Sequence, residues 1–141
     1  MSSTQMFWPM LAMAALTATA WAIMGRRRLA AVRARDMRLG DFSGTGEIAM
    51  SPSVSVSTRH FANHFEVPVL FHVICLAHVA LAAGGWLALG AAWLFVVLRA
   101  LHMREHLGRN DIMTRFNLYA ASTALVWLLW LHLAGVLLLR G

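Results

Sequence analysis

The sequence predicts an all-α integral membrane protein, a single domain folded as a four-transmembrane-helix bundle. Three observations carry this expectation. Apolar residues make up 60% of the 141 and charged residues only 13%, where a soluble domain carries about 25% charged. Three long apolar blocks run from Met6 to Met24, from Phe61 to Leu101 and from Phe116 to Leu139. The first and third have the roughly 20 residues that cross a bilayer, and the second is about twice that length. All twelve basic residues are arginine, and most of them gather at the ends of these blocks.

Taken in order, the first span covers about residues 6–24. Its charges follow the apolar stretch and Met1 to Gln5 carries none, so it reads as a retained span and not a secretory signal. A cytoplasmic loop is expected over about residues 25–58. From about Asp36 to Ser57 it is rich in Ser, Gly and Thr, which suggests a mobile loop able to fold over a site. Its Gly44-Thr45-Gly46 tract is too short for a phosphate loop. The alternation of serine with Val54 and Val56 resembles a strand over too few residues to count. Spans two (60–83) and three (86–104) come from dividing the long middle block at Gly84-Gly85, where helix propensity is weakest and a turn is easiest. The fourth span covers about 115–138.

Arginine placement sets the expected orientation. Arg26, Arg27, Arg28, Arg33, Arg35, Arg38 and Arg59 lie between or beside spans one and two, and Arg104, Arg109 and Arg115 lie around the junction of spans three and four. The amino end and the glycine hairpin have none. The positive-inside rule places both basic loops in the cytoplasm and both termini on the non-cytoplasmic side, in the inner membrane if the source is prokaryotic. The arginines thus read as a topology signal with attraction to anionic lipid. Nucleic-acid binding is excluded, because no recognition motif accompanies them. Cys75 is the only cysteine, which rules out a disulfide within the chain and leaves a small apolar packing residue. Trp8, Trp86 and Trp130 are placed to anchor the interfaces, while Trp93 and Trp127 face lipid or core.

The chemistry concentrates at one end of the bundle. Steps of four and three put Arg59, Asn63 and Glu66 on one helix face at the mouth of span two, spread over about 10 Å. Arg99, His102 and His106 share a face of span three by the same spacing. A hairpin about Gly84-Gly85 sets Glu66 level with Met103, Asn63 with His106 and Arg59 with Asn110, to within about one helical turn. Arg115 opens span four at that depth. The result is a cationic pocket with one buried carboxylate, and ionisable groups at membrane depth mark a site or a deliberate bundle contact. Pro68, inside span two, would free the carbonyl of His64 for a polar ligand or simply bend the helix for packing.

These residues resemble a known family. The pattern R-x-x-x-N-x-x-E with proline close behind, then R-x-x-H-x-x-x-H entering a basic loop, is similar to the membrane-associated proteins in eicosanoid and glutathione metabolism, the MAPEG family. The stretch Asn63 to Phe71, with Arg99-Ala100-Leu101-His102 and Asn110 to Phe116, resembles its uncharacterised bacterial members most. The resemblance implies a homotrimer of four-helix bundles with glutathione as co-substrate, bound between subunits near the cytoplasmic face. It also implies that Arg59, Asn63 and Glu66 hold the tripeptide and that Arg99 binds a glutathione carboxylate. His102 stands where the family has tyrosine or histidine, and His106 where several members have tyrosine. Arg115 is placed like an arginine near the start of span four that faces the thiol, and so implies the catalytic residue. One residue separates Glu66 from Pro68, where the enzymatic eicosanoid members have two. The sole tyrosine, Tyr119, lies outside both motifs.

The residues support a matching chemistry of their own. A free thiol ionises near pH 8.5, and one close cation lowers an ionising group by about 1–3 units. Arg115 or Arg99 would thus make a bound thiol, glutathione or another, largely thiolate near neutral pH, ready to attack a lipophilic small molecule arriving from the bilayer. Three other readings stand beside this one. The polar stripes can be structural, serving trimer assembly or lipid and small-molecule binding without catalysis. His72, His78 and His132 can suggest haem, and His102 with His106 a metal. With no Cys or carboxylate to complete such a site, no metal is expected. A small transporter is the third, though the chain has no internal symmetry.

Overall fold

The computed structural model of the chain describes residues 3–42 and 50–140. The Gly44-Thr45-Gly46 tract lies outside the described residues. A 3-10 turn at Ser3–Met6 leads into α1 (Phe7–Arg33), and a second such turn covers Leu39–Phe42. Next come α2 (Pro52–Ala62), a 3-10 turn at Asn63–Phe65, α3 (Val67–Ala80), α4 (Trp86–Leu107) and α5 (Ile112–Leu138). Among the described residues four helical stretches are long and apolar enough to cross a membrane, the second being α2 and α3 taken together.

Helix α1 continues to Arg33, past the end of the first apolar block at Met24. At 1.5 Å per residue it is about 40 Å long, more than a hydrocarbon core of about 30 Å, so its basic turns project beyond the apolar slab. Much of the stretch expected to be a loop is therefore helix, and so is its far end. Pro52 supplies a preset φ at the first position of α2. Val54, Ser57 and His60 follow at intervals of three and are buried on one face, so the Ser/Val alternation is not a strand. Arginines pin this helix down. Arg27 donates from Nη1 to the Ser53 carbonyl at 3.2 Å and from Nη2 to the Leu107 carbonyl at 3.1 Å, tying α1 to α2 and to the end of α4. Arg28 donates to Thr58 Oγ1 at 3.2 Å.

Both α1 and α5 pack against α3 and α4, so α3 and α4 face each other across the bundle centre. They meet through Phe71 and Phe95, both fully buried, stacked 4.2 Å apart between ring centroids. In lipid, helix association rests on close packing, which small residues allow. Ala88 and Ala92, one turn apart on α4, and Cys75 on α3 are all buried in the core. Trp8 and Trp86 are well exposed, Trp93 and Trp127 face outward, and Trp130 is half-buried against the core.

The turn between α3 and α4 differs from the expected one. Helix α3 stops at Ala80, and Ala82, not a glycine, takes the left-handed conformation at φ 49°. Ala82 N–H donates to Val79 O and Ala83 N–H to His78 O, the paired bonds of a Schellman stop. Arg140 donates to the carbonyls of Leu81 and Ala82 at 2.8 and 2.9 Å. The hairpin is thus centred on Ala83, so facing residues are offset by about one turn from the expected pairing. His60, rather than Asn63, lies opposite His106.

Candidate functional site

The site begins with a broken helix. A proline inside a helix lacks a donor and collides with the carbonyl four residues back, a cost of about 3 kcal/mol or more. The chain avoids this by stopping. Residues Asn63–Phe65 tighten into a 3-10 turn, Glu66 leaves helical geometry at φ −102° and ψ −109°, and α3 starts afresh at Val67 with Pro68 in its first turn. Pro68 is therefore not a mid-helix kink, and the carbonyl that gains a new partner is that of Asn63. Arg99 Nη2 donates to Asn63 O at 2.9 Å.

Arg99 is 2% exposed. Its guanidinium lies over the Tyr119 ring at 5.4 Å and the Phe95 ring at 5.9 Å, an arrangement in which the ring faces attract the cation. Its Nη1 is buried and has no hydrogen-bond partner among the described residues. The Tyr119 hydroxyl donates to Glu66 Oε2 at 3.3 Å. Glu66 itself is exposed on the bundle surface and not the buried carboxylate expected, because the break swings it out of the helix face it would have shared with Asn63. Among the described residues its donor is tyrosine and not arginine. Asn63, His102, Ile112, Arg115, Phe116 and Tyr119 line a cavity of about 210 Å³ beside these groups. Arg115 donates to Asn110 Oδ1. Asn110 sits at φ 57°, a conformation asparagine tolerates better than most residues.

The turn that carries Asn110 is built by local chemistry. Gly108 ends α4 with its backbone so close to Arg104 that an added Cβ would lie 2.8 Å from the Arg104 carbonyl oxygen. Asp111 then caps α5, its side chain accepting from Thr114 N–H at 2.8 Å. That backbone N–H, reinforced by the Thr114 side chain, holds the exposed Asp111 carboxyl below the usual carboxylate range.

The remaining expected residues go elsewhere. Arg59 is exposed and lines no part of the cavity. His106 points into a separate cluster with His60, His64 and His102, all four buried. His60 Nδ1 lies 3.3 Å from His106 Nδ1, and His60 Nε2 lies 3.3 Å from His64 Nε2. The apolar-span histidines are occupied differently. His78 Nδ1–H donates to Ile74 O at 2.9 Å, and His78 Nε2 meets His132 Nδ1 at 3.1 Å with the rings stacked. Two imidazoles in direct contact leave no gap for a haem plane between them.

With this geometry in place, comparison with known proteins is decisive on one point. The sequence model of the MAPEG family matches residues 6–135, most of the chain. The chain belongs to the MAPEG family. No curated protein and no solved structure matches it. As a MAPEG protein it is an integral, multi-pass membrane bundle of the kind associated with glutathione and eicosanoid metabolism. Within this MAPEG chain, Asn63, His102 and Arg115 share one cavity, with Arg99 and Glu66 bound to its walls. Sequence reasoning missed Tyr119, His60 and His64. Tyr119 follows Arg115 by four residues and so shares its face. His60 and His64 repeat the four-residue spacing of His102 and His106, a doubled signal legible in the sequence.

Proposed function

We propose that this protein binds a thiol, glutathione or a similar cellular thiol, in the cavity between α4, α5 and the helix break, and uses it as a thiolate against lipophilic electrophiles. One observation carries the reading: Asn63, His102, Arg115 and Tyr119 line one cavity, and beside it the buried Arg99 has an N–H to spare. Arginine stays charged at any depth and its planar fork grips carboxylates. Arg99 Nη1 suits a carboxylate of the thiol donor. Arg115, held at one nitrogen by Asn110, keeps its other donors for the sulfur. A cation there lowers a thiol from about 8.5 by about 1–3 units. The thiolate sulfur forms a bond to the electrophilic carbon, and the displaced group leaves with the electron pair.

The cavity is small, and its surroundings are exposed and apolar: Phe65, Ile112 and Phe116 are each more than 60% exposed. A neighbouring copy in a homotrimer would enclose it, with Arg59 and Glu66 at the shared rim. The bilayer would deliver the second substrate.

The test is a conjugation assay with a lipophilic aryl halide and glutathione. Arg115→Ala should lower kcat by about 10²–10³, the usual loss for one stabilising donor. Arg99→Ala should act mainly by raising KM. A second reading has its own support, since Arg99 to Asn63 and Tyr119 to Glu66 both stitch helices together. Wild-type protein that neither binds a thiol nor conjugates would leave these residues with that structural role alone.

A further inference from the structure

We infer that His60, His102 and His106 form a binding site for a borderline first-row transition ion, Zn²⁺ foremost. This rests on residues outside the thiol chemistry, apart from the shared wall at His102, and does not depend on that reading. The three offer ligand nitrogens that all lie within 4.8 Å of one another, and all three rings are buried. Two of them stand four apart on α4, which sets both on one helix face as in known zinc-binding helices. The third comes from α2.

The spacing suits two ligands of one metal ion. His60 Nδ1 and His106 Nδ1 are 3.3 Å apart. Two ligands at about 2.0–2.1 Å on a tetrahedral ion lie about 3.3–3.4 Å apart. The His102 nitrogen lies within 4.8 Å of the other two, so it would have to move closer to complete the face. Three neutral imidazoles with an open fourth position form a recognised zinc set, and imidazole suits zinc, copper, nickel and iron.

A relay from α1 prepares the key nitrogen. Thr17 Oγ1 donates to Met13 O at 3.1 Å, so toward His64 Nδ1, 3.0 Å away, it can only accept. His64 then carries its proton on Nδ1 and presents a lone pair at Nε2. His60 Nε2–H donates to that lone pair, leaving His60 Nδ1 unprotonated and facing His106. Such an outer hydrogen bond to the far ring nitrogen is how metal-binding histidines are oriented. Nothing in simple helix packing calls for His60 to meet three other imidazoles, one of them tied to a threonine.

The full-length protein in detergent, stripped with a chelator and reloaded with Zn²⁺ or Co²⁺ without thiol or electrophile, provides the test. Wild type should retain a single ion per chain after desalting, with the intense visible bands of tetrahedral cobalt. His60→Asn should lose it and His132→Asn should keep it. His64→Ala, which touches no metal, should weaken affinity by about 10–100-fold. Zn²⁺ should raise the melting temperature of wild type and not of His60→Asn, with both monodisperse and equally helical. If His60→Asn does not fold, the wild-type cobalt spectrum and the His64→Ala affinity decide. Wild type that retains no ion, shows octahedral cobalt, or loses it in His132→Asn and not in His60→Asn overturns the inference.

Discussion

At the scale of single residues, most of the polar chemistry acts on the backbone. Arg99 serves the carbonyl of Asn63, Arg27 those of Ser53 and Leu107, and Arg140 those of Leu81 and Ala82. Apart from the carbonyl of Ser53, which also accepts from Ser57 Oγ, these are carbonyls at a helix end or break, where an intrahelical donor is lacking. Asp111 acts on a backbone N–H instead, outside the spans, and its ionisation bears on stability. Its carboxyl ionises at lower pH in the folded chain because Thr114 N–H favours the charged form. The stabilisation is therefore present above the ordinary carboxylate range and lost as pH falls through the lowered value. Melting followed by circular dichroism should drop over that acidic interval in wild type. Asp111→Asn should flatten this part of the profile, since asparagine caps about as well without titrating.

At the scale of elements, helix ends decide where side chains arrive. Two of them predict changes of opposite sign. Ala82 holds a left-handed conformation that costs an L-residue roughly 1–2 kcal/mol, so Ala82→Gly should stabilise by up to about 1 kcal/mol once glycine's entropy is counted. Gly108→Ala forces a Cβ within 2.8 Å of Arg104 O and should destabilise by about 1–3 kcal/mol, the range for overpacking. It should also impair thiol binding, because the displaced turn carries Asn110 and hence Arg115. Thermal unfolding of both variants, beside a thiol titration of the second, checks this. The existence of α1, α4 and α5 was legible in sequence from apolar length alone. Helix α2 was not, because Ser-Val-Ser-Val-Ser has low helix propensity and acquires its helix from packing on α1.

At the scale of the whole molecule, the arginine asymmetry acquires a second meaning. Arg27 and Arg28 reach α2 and α4, so the basic cluster both orients the chain and fastens the end where the cavity lies. We expect that end to be cytoplasmic by the positive-inside rule. A cysteine placed at Gly40 should be shielded from an impermeant maleimide in intact cells, and one at Gly85 should be labelled. The native Cys75 is buried and should stay silent. The reverse pattern would put the cavity on the other side of the membrane.

By itself the sequence determined the membrane class, the four spans, the family, and the meeting of Asn63, His102 and Arg115 at one end. Hydrophobic length, arginine placement and four-residue spacing are local properties that survive any detail of packing. Tertiary structure alone decided what a single-residue shift can overturn. A turn centred on Ala83 rather than on the glycines moved the helices by about one turn. The break at Glu66 then carried its carboxylate to the surface and gave the Asn63 carbonyl to Arg99. Through that offset His106 left the expected pocket for His60, and Tyr119, outside every motif, came to face both Arg99 and Glu66. Such contacts depend on the phase of one helix against another, and that phase is set where helices stop.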